Sequence, residues 1–165
     1  MNTAEIIMQQ KKIAAEKKKA ENQLAYDTIK QFVSENVQRW ARSRLNIVAK
    51  KFANGEIDKA RYHAVMGTGN FPLGEEYSKE IGCWWAVEYL KDYRRVGEYG
   101  FGFVNEFFEK NPIERTDYAK DKCEQFIGYM LFHVALPKLF EEEGFVVTHN
   151  GCGCCEEIIV ELPAA

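Results

Sequence analysis

The chain has 165 residues, 46% of them hydrophobic and 13% aromatic, with a net charge of −3. That is enough for one domain with a sizeable core and too little for two full ones. No charged-then-apolar leader precedes a small-residue cleavage site, and the longest uncharged run, Gln125 to Pro137, is too short for a bilayer of about 30 Å. A soluble, cytoplasmic chain with no membrane partner is therefore expected.

The charge is unevenly spread. Residues 1–66 hold 13 Lys/Arg against 7 Asp/Glu, whereas residues 67–165 hold 9 against 18. Such a split suits an acidic partner, or halves that attract each other within the fold or across a homo-oligomer.

In chain order, Asn2 with Glu5 three residues later forms a helix-start signature, and no Pro or Gly follows until Gly55. A long helix is predicted. Its apolar positions are sparse at first, at Ile6, Ile13, Ala20 and Leu24. They become dense from Ile29 through Phe32, Val33, Val37, Trp40, Ala41, Leu45 and Val48 to Phe52. The second half is the part that packs, and the lysine-rich start reads as a protruding arm or one that docks on another chain. Asn54-Gly55 is a stop, and Asp58 can cap a short second helix through Met66, closing a helical hairpin.

"GTGNFPLG", residues 67–74, reads as a loop between the basic and acidic halves. A third helix is predicted from about Glu75 to Val96, since Ile81, Cys83, Trp84, Trp85, Val87 and Leu90 make it apolar on all sides. "EYGFGFVNEFFEKNP" leads to a short helix that stops before Pro112. Thr116 or Asp117 caps a last helix, the second central one, which runs to about Glu143, is kinked at Pro137 and stops at Gly144. The β-branched runs flanking Asn150-Gly151 predict a C-terminal β-hairpin. The expected fold class is mainly α (α+β): one domain, 1–165, with a long N-terminal helix, a bundle of central apolar helices over 75–143, and a hairpin over 144–162.

The strongest chemical signal is "THNGCGCCEE", residues 148–157, which holds three of the five cysteines and one of the three histidines. Clustered cysteines in a reducing compartment argue for metal ligands or reactive thiols, not a disulfide framework. With Asn150-Gly151 as a two-residue loop, His149 pairs with Cys152, and His149, Cys152 and Cys154 share a face. With a wider turn, Cys155 joins the set. These are soft donors for Zn²⁺, one ligand short of a tetrahedral site; His133, Cys123 or Cys83 are the candidates to complete it. The predicted metal residues are thus His149, Cys152, Cys154, Cys155 and His133, against a plain reading of the cysteines as small hydrophobes in a buried turn.

The glycines of residues 67–70 and 97–102 lack the Lys and the strand-then-helix setting of a phosphate or dinucleotide loop. Trp84 and Trp85 read as core. Lys11, Lys18, Arg39, Arg42 and Lys50 form basic positions for phosphate contacts along the first helix, interrupted by Glu16, Glu21 and Glu35.

The resulting expectation is a small non-enzymatic intracellular protein-binding module, stabilised by zinc. It would be of the kind that phages and mobile elements encode against host defence proteins that handle nucleic acid. The alternatives are a nucleic-acid-binding accessory protein that uses the basic N-terminal helices, and a cysteine-dependent enzyme.

Overall fold

Helix α1 (Thr3–Ala53) begins with the capping box that the sequence predicts. The Asn2 side chain accepts the Glu5 N–H at 2.9 Å and the Glu5 carboxylate accepts the Asn2 N–H at 2.8 Å. It ends where Asn54-Gly55 stands, with Gly55 at φ +70°, a conformation glycine adopts without Cβ strain. The computed structural model describes residues 1–66, 83–91, 93–95, 102–152 and 155–165, with side chains described at all of these except 65, 66, 83–85, 93–95, 152 and 155. The predicted loop at 67–74, residues 75–82, and the Tyr99 and Phe101 positions lie outside this set.

The other elements are β1 (Ala60–Met66), β2 (Cys83–Tyr89), β3 (Tyr93–Arg95), α2 (Phe103–Lys110), α3 (Asp117–Ile127), a π-helical segment (Gly128–Ala135), α4 (Leu136–Glu142), β4 (Val146–Cys152) and β5 (Cys155–Glu161). Among the described residues the strands form one antiparallel sheet in the order β3-β2-β1-β5-β4. The protein is a mixed α+β fold with the long helix and the C-terminal hairpin in place.

Two expected helices are strands. Residues 58–66 were expected to close a helical hairpin, but Ala60, Tyr62 and Ala64 are buried while Arg61 between them is exposed. That is a period of two, hidden by alanines that suit a helix equally well. Within the span expected as the third helix, residues 83–89 form β2. Consecutive Ala86, Val87 and Glu88 are all buried, so both faces of this strand are covered. A strand covered on both faces reads as a continuous apolar run, which periodicity cannot tell from a buried helix.

The predicted last helix is continuous from Asp117 to Glu142, with the Thr116 hydroxyl capping the Ala119 N–H at 3.1 Å and Gly144 at φ +90° just past its end. Pro137 has no N–H to offer the His133 carbonyl, and the chain responds with wide π turns before it. This helix packs on both α1 and the sheet and is the centre of the molecule. Tyr62 of β1 packs at a tilt against Phe132, with ring centroids 5.2 Å apart, and Tyr26 of α1 meets Phe126 edge-on at 5.2 Å.

Gly128 lets the helix touch the sheet: a Cβ there would stand 3.0 Å from the Ala86 Cβ. Gly128→Val is expected to cost about 1–3 kcal/mol through overpacking. Urea unfolding measures this, and an unchanged midpoint would show that the seam is looser than described.

Candidate functional site

The hairpin turn is displaced from the predicted place. Cys152 pairs with Cys155, and Asn150 and Gly151 lie within β4, paired with Glu157 and Glu156, so they do not form the turn. His149 therefore pairs with Ile158, and the predicted pairing of His149 with Cys152 does not occur. In the predicted register Ile158 and Val160 would stand opposite residues 143 and 141, at the end of the last helix; the observed register gives them His149 and Val147 as strand partners on the helix-facing side, where Ile158 and Val160 join the core.

The register brings His149 to a residue that sequence reasoning missed. Its Nδ1 lies 2.8 Å from Oε1 of Glu156, and His133 Nδ1, reaching down from the π segment, lies 3.1 Å from Oε2 of the same carboxylate. His149 Nε2 is also 4.0 Å from Glu141 Oε1. One carboxylate thus bridges two histidines from different elements. His133 stacks on Tyr129, one helical turn away, and its angle to Glu156 misses a hydrogen bond, which leaves a buried Nδ1 without one. The signal for Glu156 was the alternation Glu156, Ile158, Val160 along β5, legible once the turn is set three residues further on.

Of the predicted metal residues, the fold brings His133 and His149 together. Cys154 lies outside the described residues, as do the side chains of Cys152, Cys155 and Cys83. Among the described residues, no group of three or more His, Cys, Asp or Glu is arranged to hold a metal ion. Cys123, a candidate fourth ligand, is a free thiol buried in the core, and burial, with a smaller push from the Glu124 charge, drives its pKa far above the ordinary thiol range. In the folded protein it is expected to resist alkylation at neutral pH and to react on unfolding; mass spectrometry of the labelled peptide reads this, and rapid native labelling would contradict it.

The predicted basic positions part company. Arg39 pairs with Glu106, and Arg42 with Glu143 at 3.0 Å, so both arginines are engaged by carboxylates of the body. Lys11, Lys18 and Lys50 are exposed. A second polar cluster is buried: Arg44 of α1 pairs with Glu88 of β2, at 12% and 2% side-chain exposure, beside Tyr62. On the other side of the sheet, a cleft of about 580 Å³ is lined by Lys59, Arg61, His63, Tyr89 and Glu157, among others.

Among the described residues, the largest departure from a packed fold is the start of α1. Residues 1–21 are exposed without interruption and the first buried position is Ala25. Ile6, Ile13 and Leu24 are 43%, 59% and 61% exposed. Among the described residues no helix is long and apolar enough to cross a membrane. No protein family, no curated protein and no solved structure matches this chain.

Proposed function

We propose that the chain is a non-enzymatic protein-binding module whose working surface is the N-terminal arm of α1. The observation that carries this is the arm itself: about six helical turns beyond the last packed residue, with an exposed apolar seam along them. A free helix of this length is marginal in water, and packing of an apolar face is what ordinarily holds one. At 3.6 residues per turn the seam of Ile6, Ile13, Ala20 and Leu24 lies nearly opposite the side on which Ala25, Ile29 and Val33 enter the core. The body's own core face cannot cover it. Lys11, Lys12, Lys18 and Lys19 occupy the reverse side and keep that side solvated.

Deleting residues 1–21 is expected to change the unfolding free energy of the single chain by no more than about 0.5 kcal/mol, the range of surface changes. The deletion should abolish association. In a nuclease-treated extract of the source cells, the labelled full chain sediments in a complex larger than its own 19.1 kDa, and the shortened chain sediments alone. A full chain that sediments alone in the untreated extract as well overturns the reading. A complex that nuclease disperses transfers it to the nucleic-acid alternative through Lys11 and Lys18.

Zinc at the hairpin end belongs to this proposal only together with the thiols of Cys152, Cys154 and Cys155, because the described residues make no metal group without them.

A further inference from the structure

We propose that the arm's partner is a second copy of this chain, with the two arms packed antiparallel about a twofold axis at Ile13. The inference rests on the protein-binding reading and names its partner.

The seam is symmetric about its middle. Ile6 and Ala20 each stand seven residues from Ile13, so a twofold axis there sets Ile13 on its symmetry mate and each Ile6 on the other copy's Ala20. Large residues meet small ones along the contact, as interdigitation requires. A parallel pair would stack Ala20 on Ala20 and leave a gap in that layer.

The flanks agree. In the antiparallel pair each edge of the seam faces the same edge of the other copy. One edge sets Gln9 beside the second copy's Glu16, where the amide N–H donates to the carboxylate. The other sets Gln10 beside the second copy's Lys17, whose ammonium donates to the amide oxygen. No like charges meet at these positions. A parallel pair would instead offer Glu16 to Lys17, an exposed ion pair of small worth.

Charge over the whole chain favours the antiparallel sense. The arm, residues 1–24, carries 5 Lys against 3 Glu, whereas residues 25–165 carry 17 Lys/Arg against 22 Asp/Glu. Antiparallel arms lay each basic arm toward the other copy's acidic body and keep the two bodies at opposite ends. Parallel arms bring both acidic bodies to one end.

The arm's root supplies a further fit. The same twofold axis puts residues 1 and 2 of one copy beside Leu24 and Ala25 of the other. These two residues line a cleft of about 240 Å³ with Pro112, Ile113, Glu114 and Thr116. Met1, 82% exposed in the single chain, is the side chain that arrives there.

The test is the mass of the purified full chain by sedimentation equilibrium, from about 1 to 200 µM. The expected result is a mass that rises to twice 19.1 kDa, with Ile13→Glu holding the chain at the single mass by placing two carboxylates on the axis. Ile13 is exposed, so at about 1 µM, where the parent is still unpaired, circular dichroism and the melting curve of this variant stay those of the parent. A parent that remains at the single mass throughout overturns the second copy as partner; the protein-binding reading then stands or falls on the extract experiment alone. Glu16→Lys separates the two senses. In the antiparallel pair the ammonium introduced at position 16 faces Gln9 of the other copy, and the dimer Kd moves by less than about threefold. A weakening of about tenfold or more signals that this ammonium meets Lys17 in a parallel pair and overturns the arrangement.

Discussion

Replacing Arg44 with alanine is expected to destabilise the chain by about 3–5 kcal/mol, among the largest single-residue effects in the molecule. The substitution strands Glu88, at 2% side-chain exposure, on the helix-facing side of β2 opposite Tyr62. Burial already raises the Glu88 pKa above its ordinary value, against the pull of Arg44. The direction with pH follows from the sign of that shift. A carboxyl whose folded pKa is raised binds protons more tightly in the folded state, so its contribution is favourable below about 4.5 and is lost as pH rises through the folded pKa. Without Arg44 that pKa rises further, and the loss at neutral pH is larger. Urea unfolding at about pH 5 and pH 8 should therefore show a smaller penalty for Arg44→Ala on the acid side. An equal penalty at both would mean that Glu88 is solvated. Replacing both partners with apolar residues of similar volume should recover much of the loss, because it removes the stranded charge as well as the pair.

Trp40→Ala is expected to cost a similar amount, about 3–5 kcal/mol. Trp40 is buried at the crossing of α1 and α2, with ring centroids 5.7 Å from Phe32 and 4.9 Å from Phe103. Its Nε1–H donates to Glu106 Oε2 at 3.1 Å. Burial pushes the Glu106 carboxyl up, but hydrogen bonds from Lys110, Arg39 and Trp40 outweigh this and hold its pKa below the ordinary value. Alanine thus opens a cavity and removes one donor from a carboxylate that needs several. Trp40→Phe keeps most of the volume and loses the donor, so it should cost markedly less. Thermal unfolding of the two variants distinguishes the terms, and equal losses would assign the effect to the hydrogen bond alone.

Helix ends were legible in the sequence because single residues mark them: Asn2 and Glu5 at one end of α1, Asn54-Gly55 at the other, Thr116 and Gly144 around the last helix. The central strands were not. In β1 the inward positions are Ala60, Tyr62 and Ala64, and alanine carries no preference for a strand. In β2, Ala86, Val87 and Glu88 are all buried, which erases the alternation that marks a half-exposed strand.

The hairpin was visible but its turn was not. Asn150-Gly151 is the stronger local turn signal, yet both residues lie in β4, where the register gives Ile158 and Val160 the strand partners His149 and Val147. That register is also why Glu156 went unnoticed while His133 and His149 were both singled out. The arm was legible as a change in apolar density between Leu24 and Ile29. Which side it turns outward became visible only when Ala25, Ile29 and Val33 were seen to enter the core.

The central claim is that residues 3–21 of α1 are not held by their own body and are ordered by a second chain. Residue-resolved amide hydrogen exchange at low and high protein concentration tests it most directly. Predicted is weak protection of residues 3–21 at about 1 µM that grows at about 200 µM, while residues 25–53 stay strongly protected at both. Equal and strong protection of the arm at the two concentrations would contradict the claim, since it would mean that the single chain holds its own arm.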